Sequence, residues 1–160
     1  MKKQERKQEE FEYFDIVPAP EVPSVDELDQ YMHTLSDESL ELIALMGERD
    51  FLVMLRNFSG LYFPFSSTGK QKDKVKAFLE QVISERSVNA LIHAFGPVHG
   101  FHIPQCKSLK VAYRNDCIRR DFFENRDDLC FRDLVNVLCL RYKVGWREVI
   151  RHAKKKDMRK

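Results

Sequence analysis

Two stretches of this chain repeat one another at matched offsets, and that repeat limits the fold more than any other feature. The first reads GERDFLVMLRNFSGLYFP from Gly47 to Pro64, the second SERSVNALIHAFGPVHGFHIP from Ser84 to Pro104. Both carry Glu-Arg, at Glu48-Arg49 and Glu85-Arg86, and both place a Phe nine residues after that Arg, at Phe58 and Phe95. Both close with Gly, apolar, Tyr or His, apolar, Pro: Gly60-Leu61-Tyr62-Phe63-Pro64 and Gly100-Phe101-His102-Ile103-Pro104. The second copy has a small insertion around Pro97-Val98-His99. Phe51, Leu52, Leu55 and Phe58 fall on one helical face, as do Val88, Leu91, Ile92 and Phe95. A Gly then stops each helix. The next three residues suit a short strand, and Pro64 and Pro104 end it because Pro cannot donate to a ladder. A strand of three residues does not stand alone. Its partner is the other copy, paired within one chain or across a homodimer.

The rest of the chain reads as helices. With 160 residues, 43% hydrophobic and 32% charged, it has material for a core, while 6 Gly and 6 Pro are few for a many-stranded sandwich. Pro18, Pro20 and Pro23 favour an extended linker after a mobile N-terminus. Ser24 and Glu27 form a capping box for a short helix, and Ser36 caps an amphipathic helix over 36–46. A polar loop over 66–74 leads to a helix over 73–82 with Val75, Phe78, Leu79 and Val82 inward. Three helices follow Pro104. The first spans 108–123 with Val111, Asn115, Ile118 and Phe122 inward. The second spans 129–141 with Phe131, Leu134, Val135, Leu138 and Cys139 inward. The third spans 146–155 with Val149, Ile150 and Ala153 inward. The expected fold is mostly α, a duplicated helix–short strand pairing or dimerisation region followed by a three-helix helix-turn-helix domain. Its parts are an acidic, partly mobile arm over 1–35, the pairing region over 36–105, and the helix-turn-helix domain with a basic tail over 106–160.

Charge is segregated. Residues 11–50 hold eleven acidic residues against Arg49 alone, a balance of −10, while residues 141–160 hold nine basic residues against Glu148 and Asp157, a balance of +7. A basic C-terminal end is the footprint of a polyanion binder, and a solvated tail is its bland alternative. The turn Tyr142-Lys143-Val144-Gly145 joins two short helices, the pattern in which the second helix enters the major groove. Lys143, Arg147, Arg151, His152, Lys154 and Lys155 are the candidate DNA contacts. Arg147 and Arg151 are suited to guanine edges, and Lys154, Lys155 and Lys156 to phosphates. Trp146 joins the DNA-contact set, where it would meet a thymine methyl or sugar, but packing back on the preceding helix as core is favoured.

Gly100 to Pro104, then Arg114, Ile118 and Asp121-Phe122, then FRDLVNVLCLRYKVGWREVIR resemble the Mor transcription activator family over roughly residues 40–155. Lys143 and Gly145 stand where the family has Gly and a Ser or Thr cap. The resemblance implies a phage or prophage regulator that activates transcription by binding promoter double-stranded DNA near RNA polymerase. It makes Leu134, Tyr142, Val144, Val149 and Ile150 framework positions and the two Gly-to-Pro segments the pairing strands.

Two other classes compete. A non-catalytic interaction protein, such as an antirepressor or host-takeover factor, would keep this fold and use its acidic arm. An enzyme would need a site, for which Asp121, Glu124, Asp127 and Asp128 are the one cluster, better read as a solvated loop. No GxGxxG, GxxxxGKS, HExxH or GxSxG occurs, so no catalysis and no cofactor are expected. His99, His102 and Cys106 make half a zinc site without a second half, and Cys106, Cys117, Cys130 and Cys139 read as reduced thiols. With no apolar leader in MKKQERKQEE and no spanning run, the expected compartment is the cytosol and no membrane partner is implied.

Overall fold

A computed structural model describes residues 17–65 and 69–154. Its described part holds seven α-helices and a two-stranded sheet in the order α1 (Val25–Leu28), α2 (Asp37–Phe58), β1 (Tyr62–Pro64), α3 (Gly69–Leu79), α4 (Glu85–Phe95), β2 (Gly100–His102), α5 (Lys107–Asn125), α6 (Phe131–Tyr142) and α7 (Trp146–Ala153). Short 3-10 turns follow α1, at Asp29–Thr34, and α4, at Gly96–Val98. The described chain divides into two compact units, one of residues 20–116 and one of residues 17–19 with 117–154.

In the first unit α1, α2 and α4 start where a side chain can take up their orphan amides. The Ser24 amide donates to the Glu27 carboxylate at 3.1 Å, the reciprocal half of the expected capping box. Ser36 accepts from the Ser39 amide at the start of α2, and Ser84 from the Ser87 amide at the start of α4. Asp50 ties α2 to α4: its carboxylate accepts from the Ser84 amide (3.1 Å), the Ser84 hydroxyl (2.6 Å) and the Ser87 hydroxyl (2.6 Å). Partial burial opposes ionisation of Asp50, but these donors outweigh it and hold the carboxyl below the usual range. Gly47 (φ 80°, ψ 161°) breaks α2 into two arms, the first matching the helix expected over 36–46.

β1 and β2 pair antiparallel within one chain, Tyr62 opposite His102, Phe63 opposite Phe101 and Pro64 opposite Gly100. Backbone bonds from Gly60 to Ile103 (2.8 Å), Ile103 to Leu61 (2.9 Å) and Phe65 to His99 (2.7 Å) continue the pairing on both sides. Pro64 is the last residue of β1 rather than a stop beyond it. The inner face is aromatic. Phe101 stacks with Phe63 (5.4 Å between ring centres) and Phe95 (5.5 Å), and Phe63 meets Phe58 edge-on (5.6 Å). Such pairs add about 0.5–1.5 kcal/mol each beyond the area they bury. Gly100 sits at φ 149°, and a Cβ there would lie 2.4 Å from the Phe63 carbonyl oxygen, so only glycine lets the strands meet. Phe51, Met54, Leu55, Leu91 and Ile103 are fully buried around this centre.

Several expectations need correction. Residues 20–35, expected in the arm, belong to the first unit, where Val22, Leu28 and Tyr31 are buried. The unit boundary falls inside α5, at 116/117, rather than near residue 105. The loop expected over 66–74 gives way to α3 at Gly69, and that helix ends at Leu79 rather than Val82. On α5 the inward residues are Leu109, Tyr113, Cys117 and Ile118, while Val111 is 45% exposed. Phe131, expected inward, is 51% exposed at the first turn of α6. Residues 1–16 and the tail from Lys155 lie outside the described residues.

Candidate nucleic-acid interface

The second unit is built on α6 and α7, whose buried faces are Leu134, Val135, Leu138 and Tyr142 on one and Val149, His152 and Ala153 on the other. The turn between them is tight. Lys143 takes the left-handed region (φ 53°, ψ 45°), its amide and that of Val144 both reach the Cys139 carbonyl, and Gly145 caps α7 in an extended conformation. A hydrogen-bonded node fixes the end of α6 to α5. The Tyr142 hydroxyl donates to the Asp121 carboxylate at 2.6 Å, and the Arg141 guanidinium lies 3.3 Å from the same oxygen. Burial, the hydrogen bond to Asp121 and its charge push the Tyr142 phenol far above the ordinary tyrosine range.

With that base fixed, α7 shows one cationic face. Arg147, Arg151 and Lys154 are exposed at i, i+4 and i+7, and Lys143 is exposed on the turn. Glu148 is the only acidic residue of α7 and is half-buried. Trp146 leans on α6 but is not the core residue expected. Its indole N–H donates to Asn136 Oδ1 at 3.0 Å and its ring meets Phe131 edge-on at 6.1 Å, leaving it 42% exposed. His152 does not belong to the exposed set: it is 7% exposed, on the face of Val149 and Ala153. The spacing 149, 152, 153 is the i, i+3, i+4 signal of a buried stripe, so the correction was readable in the sequence. Lys155 and Lys156 lie outside the described residues.

The acidic residues considered for an enzyme are not brought together. Asp121 is committed to Tyr142 and Arg141, Asp127 lies 3.9 Å from Arg126, and Glu124 and Asp128 are exposed. Among the described residues no group of His, Cys, Asp or Glu could hold a metal ion. All four cysteines are free, and burial raises the thiols of Cys106 and Cys139, away from the reactive thiolate. Among the described residues no helix is long and apolar enough to cross a membrane. Asn136 was missed at the sequence level, because nothing local marks an Asn as the seat of a Trp ten residues on.

No family model matches the chain, and comparison with curated proteins and with solved structures finds no match either.

Proposed function

We propose that the chain is a DNA-binding transcription regulator of the Mor type, from a phage or prophage, reading promoter DNA with α6, the turn and α7 as a helix-turn-helix. The observation that carries this reading is the two-faced α7: Arg147, Arg151 and Lys154 in solvent, Val149, His152 and Ala153 buried. A helix held by one face and presenting arginines one turn apart on the other suits a major groove, where Arg pairs bidentately with guanine. The left-handed backbone at Lys143 adds support, because that position is a Gly in the family pattern and Gly adopts this conformation without strain. The duplicated helix–strand segment is then the scaffold of the first unit, RNA polymerase is the partner in activation, and the acidic residues before Asp50 are the surface offered to it.

The test is affinity of the full chain for duplexes from the DNA flanking its own gene, and for scrambled duplexes, at several salt concentrations. Arg147→Ala should lose about 1–3 kcal/mol on the preferred duplex and relax specificity there. Arg151→Ala should behave alike, with helix content unchanged by circular dichroism. Folded Arg147→Ala and Arg151→Ala variants that bind every duplex as tightly as wild type would sink the assignment, and the interaction-protein reading would replace it.

A further inference from the structure

The first unit holds a second cationic feature. Where the end of α2 meets the start of α5, a cleft of about 390 Å³ opens. Arg56 lines it from α2, and Lys107 and Lys110 from the first turn of α5, where the positive end of the helix adds to their field. Asn57, Ser59 and Gln105 complete the wall, and Glu21 is the only acidic residue on it. Every lining side chain is polar. Lys110 Nζ donates to Ser59 Oγ at 3.1 Å and stands 4.0 Å from the Glu21 carboxylate, whose side chain is 77% exposed. Ser59 Oγ in turn donates to the Gln105 carbonyl at 3.3 Å. Among the described residues neither the Arg56 nor the Lys107 side chain has an ion pair or hydrogen bond.

We infer that this cleft binds a small, compact phosphorylated anion, such as phosphate, pyrophosphate or a sugar phosphate. Three cations against one carboxylate leave a surplus of two positive charges, which matches a phosphate dianion. The Arg56 fork grips phosphoryl oxygens in pairs, and the two Lys heads act as point charges from the other side. The Gln105 amide supplies a neutral donor, while Asn57 Nδ2 already donates to the Val53 carbonyl at 2.8 Å. With no apolar or aromatic side chain on its wall, the cleft favours a ligand that is polar throughout.

The test is calorimetric titration of the full chain, without DNA, with inorganic phosphate and with pyrophosphate at physiological chloride. One saturable site is expected, with pyrophosphate the tighter ligand. The double variant Arg56→Gln, Lys107→Gln should weaken it at least about tenfold. Lys74→Gln, an exposed charge on α3, should leave it unchanged. No saturable heat at millimolar ligand overturns the inference, as does equal weakening by Lys74→Gln. Loss of duplex affinity in the double variant without phosphate or pyrophosphate binding overturns it too, and makes the cleft a contact for DNA backbone instead. Because the calorimetric titrations contain no DNA, phosphate binding stands or falls separately from the α7 assignment.

Discussion

Replacing Tyr142 with Phe removes one oxygen from the support of α7 and leaves the rest in place. The ring is 7% exposed and would stay buried, so the loss is that of the 2.6 Å hydrogen bond to Asp121. A hydrogen bond to a charged acceptor contributes about 1.5–3 kcal/mol. Asp121 keeps the Arg141 guanidinium at 3.3 Å, so the expected cost is at the lower end, about 1.5–2 kcal/mol. For a chain of this length that lowers Tm by roughly 3–8 °C. The same contact predicts a pH signature. The phenol is raised in the folded state, so its contribution is complete below the unfolded tyrosine pKa of about 10 and is lost as pH rises above it. By about pH 11 the unfolded wild-type chain gains about 1.4 kcal/mol from ionising this phenol, and the Phe variant gains nothing there. Urea unfolding followed by circular dichroism near pH 7.5 and pH 11 measures both. The variant should be less stable at neutral pH, and the gap should close by most of its width in alkali. A gap that is absent at pH 7.5, or constant to pH 11, would refute the reasoning.

The other predictions follow from single contacts. Gly100→Ala must move the Phe63 carbonyl and strain a positive φ, so it should cost about 2–5 kcal/mol, read as a fall in the urea midpoint. Asp50→Asn should cost about 1 kcal/mol at pH 7. Because the Asp50 carboxyl is depressed, its contribution is present above the unfolded pKa of about 3.9 and fades as pH falls through the folded value, so the gap between wild type and variant should narrow as pH falls below about 3.9. Lys143→Gly relieves a left-handed lysine and should stabilise the chain by about 0.5–1 kcal/mol, while lowering the salt slope of duplex binding by about one.

The sheet was legible because its signal is local: Gly, three residues of strand type and Pro, twice, with each observed strand shifted by one residue from the expected span. The breaks at Gly47 and Gly145 were legible for the same reason. The face of α5 was not. Its apolar residues are interleaved with Arg114, Asn115, Arg119 and Arg120, so Val111 and Leu109 mark two competing stripes and only packing chooses between them. The start of α3 was hidden because Gly69-Lys70-Gln71-Lys72 has no apolar periodicity. Arginines 147 and 151 stood out on α7, whereas the cleft at Arg56, Lys107 and Lys110 joins residues some fifty positions apart and leaves no trace in any local window.

The pairing of Tyr62 with His102 has a consequence for the order of events as the chain is made. β1 leaves the ribosome forty residues before its partner, which at about 5–20 residues per second is a wait of roughly 2–8 s. During that interval Leu61, Tyr62 and Phe63 form an unpaired apolar edge, the kind of segment that recruits other chains. α2 can form at once, but the ladder closes only when β2 arrives and the intervening loop has been drawn in. Crowded synthesis at high temperature, where nascent edges meet most often, is therefore where this chain should be most exposed to misassembly, and mutations that slow α4 should lower its yield more than its final stability.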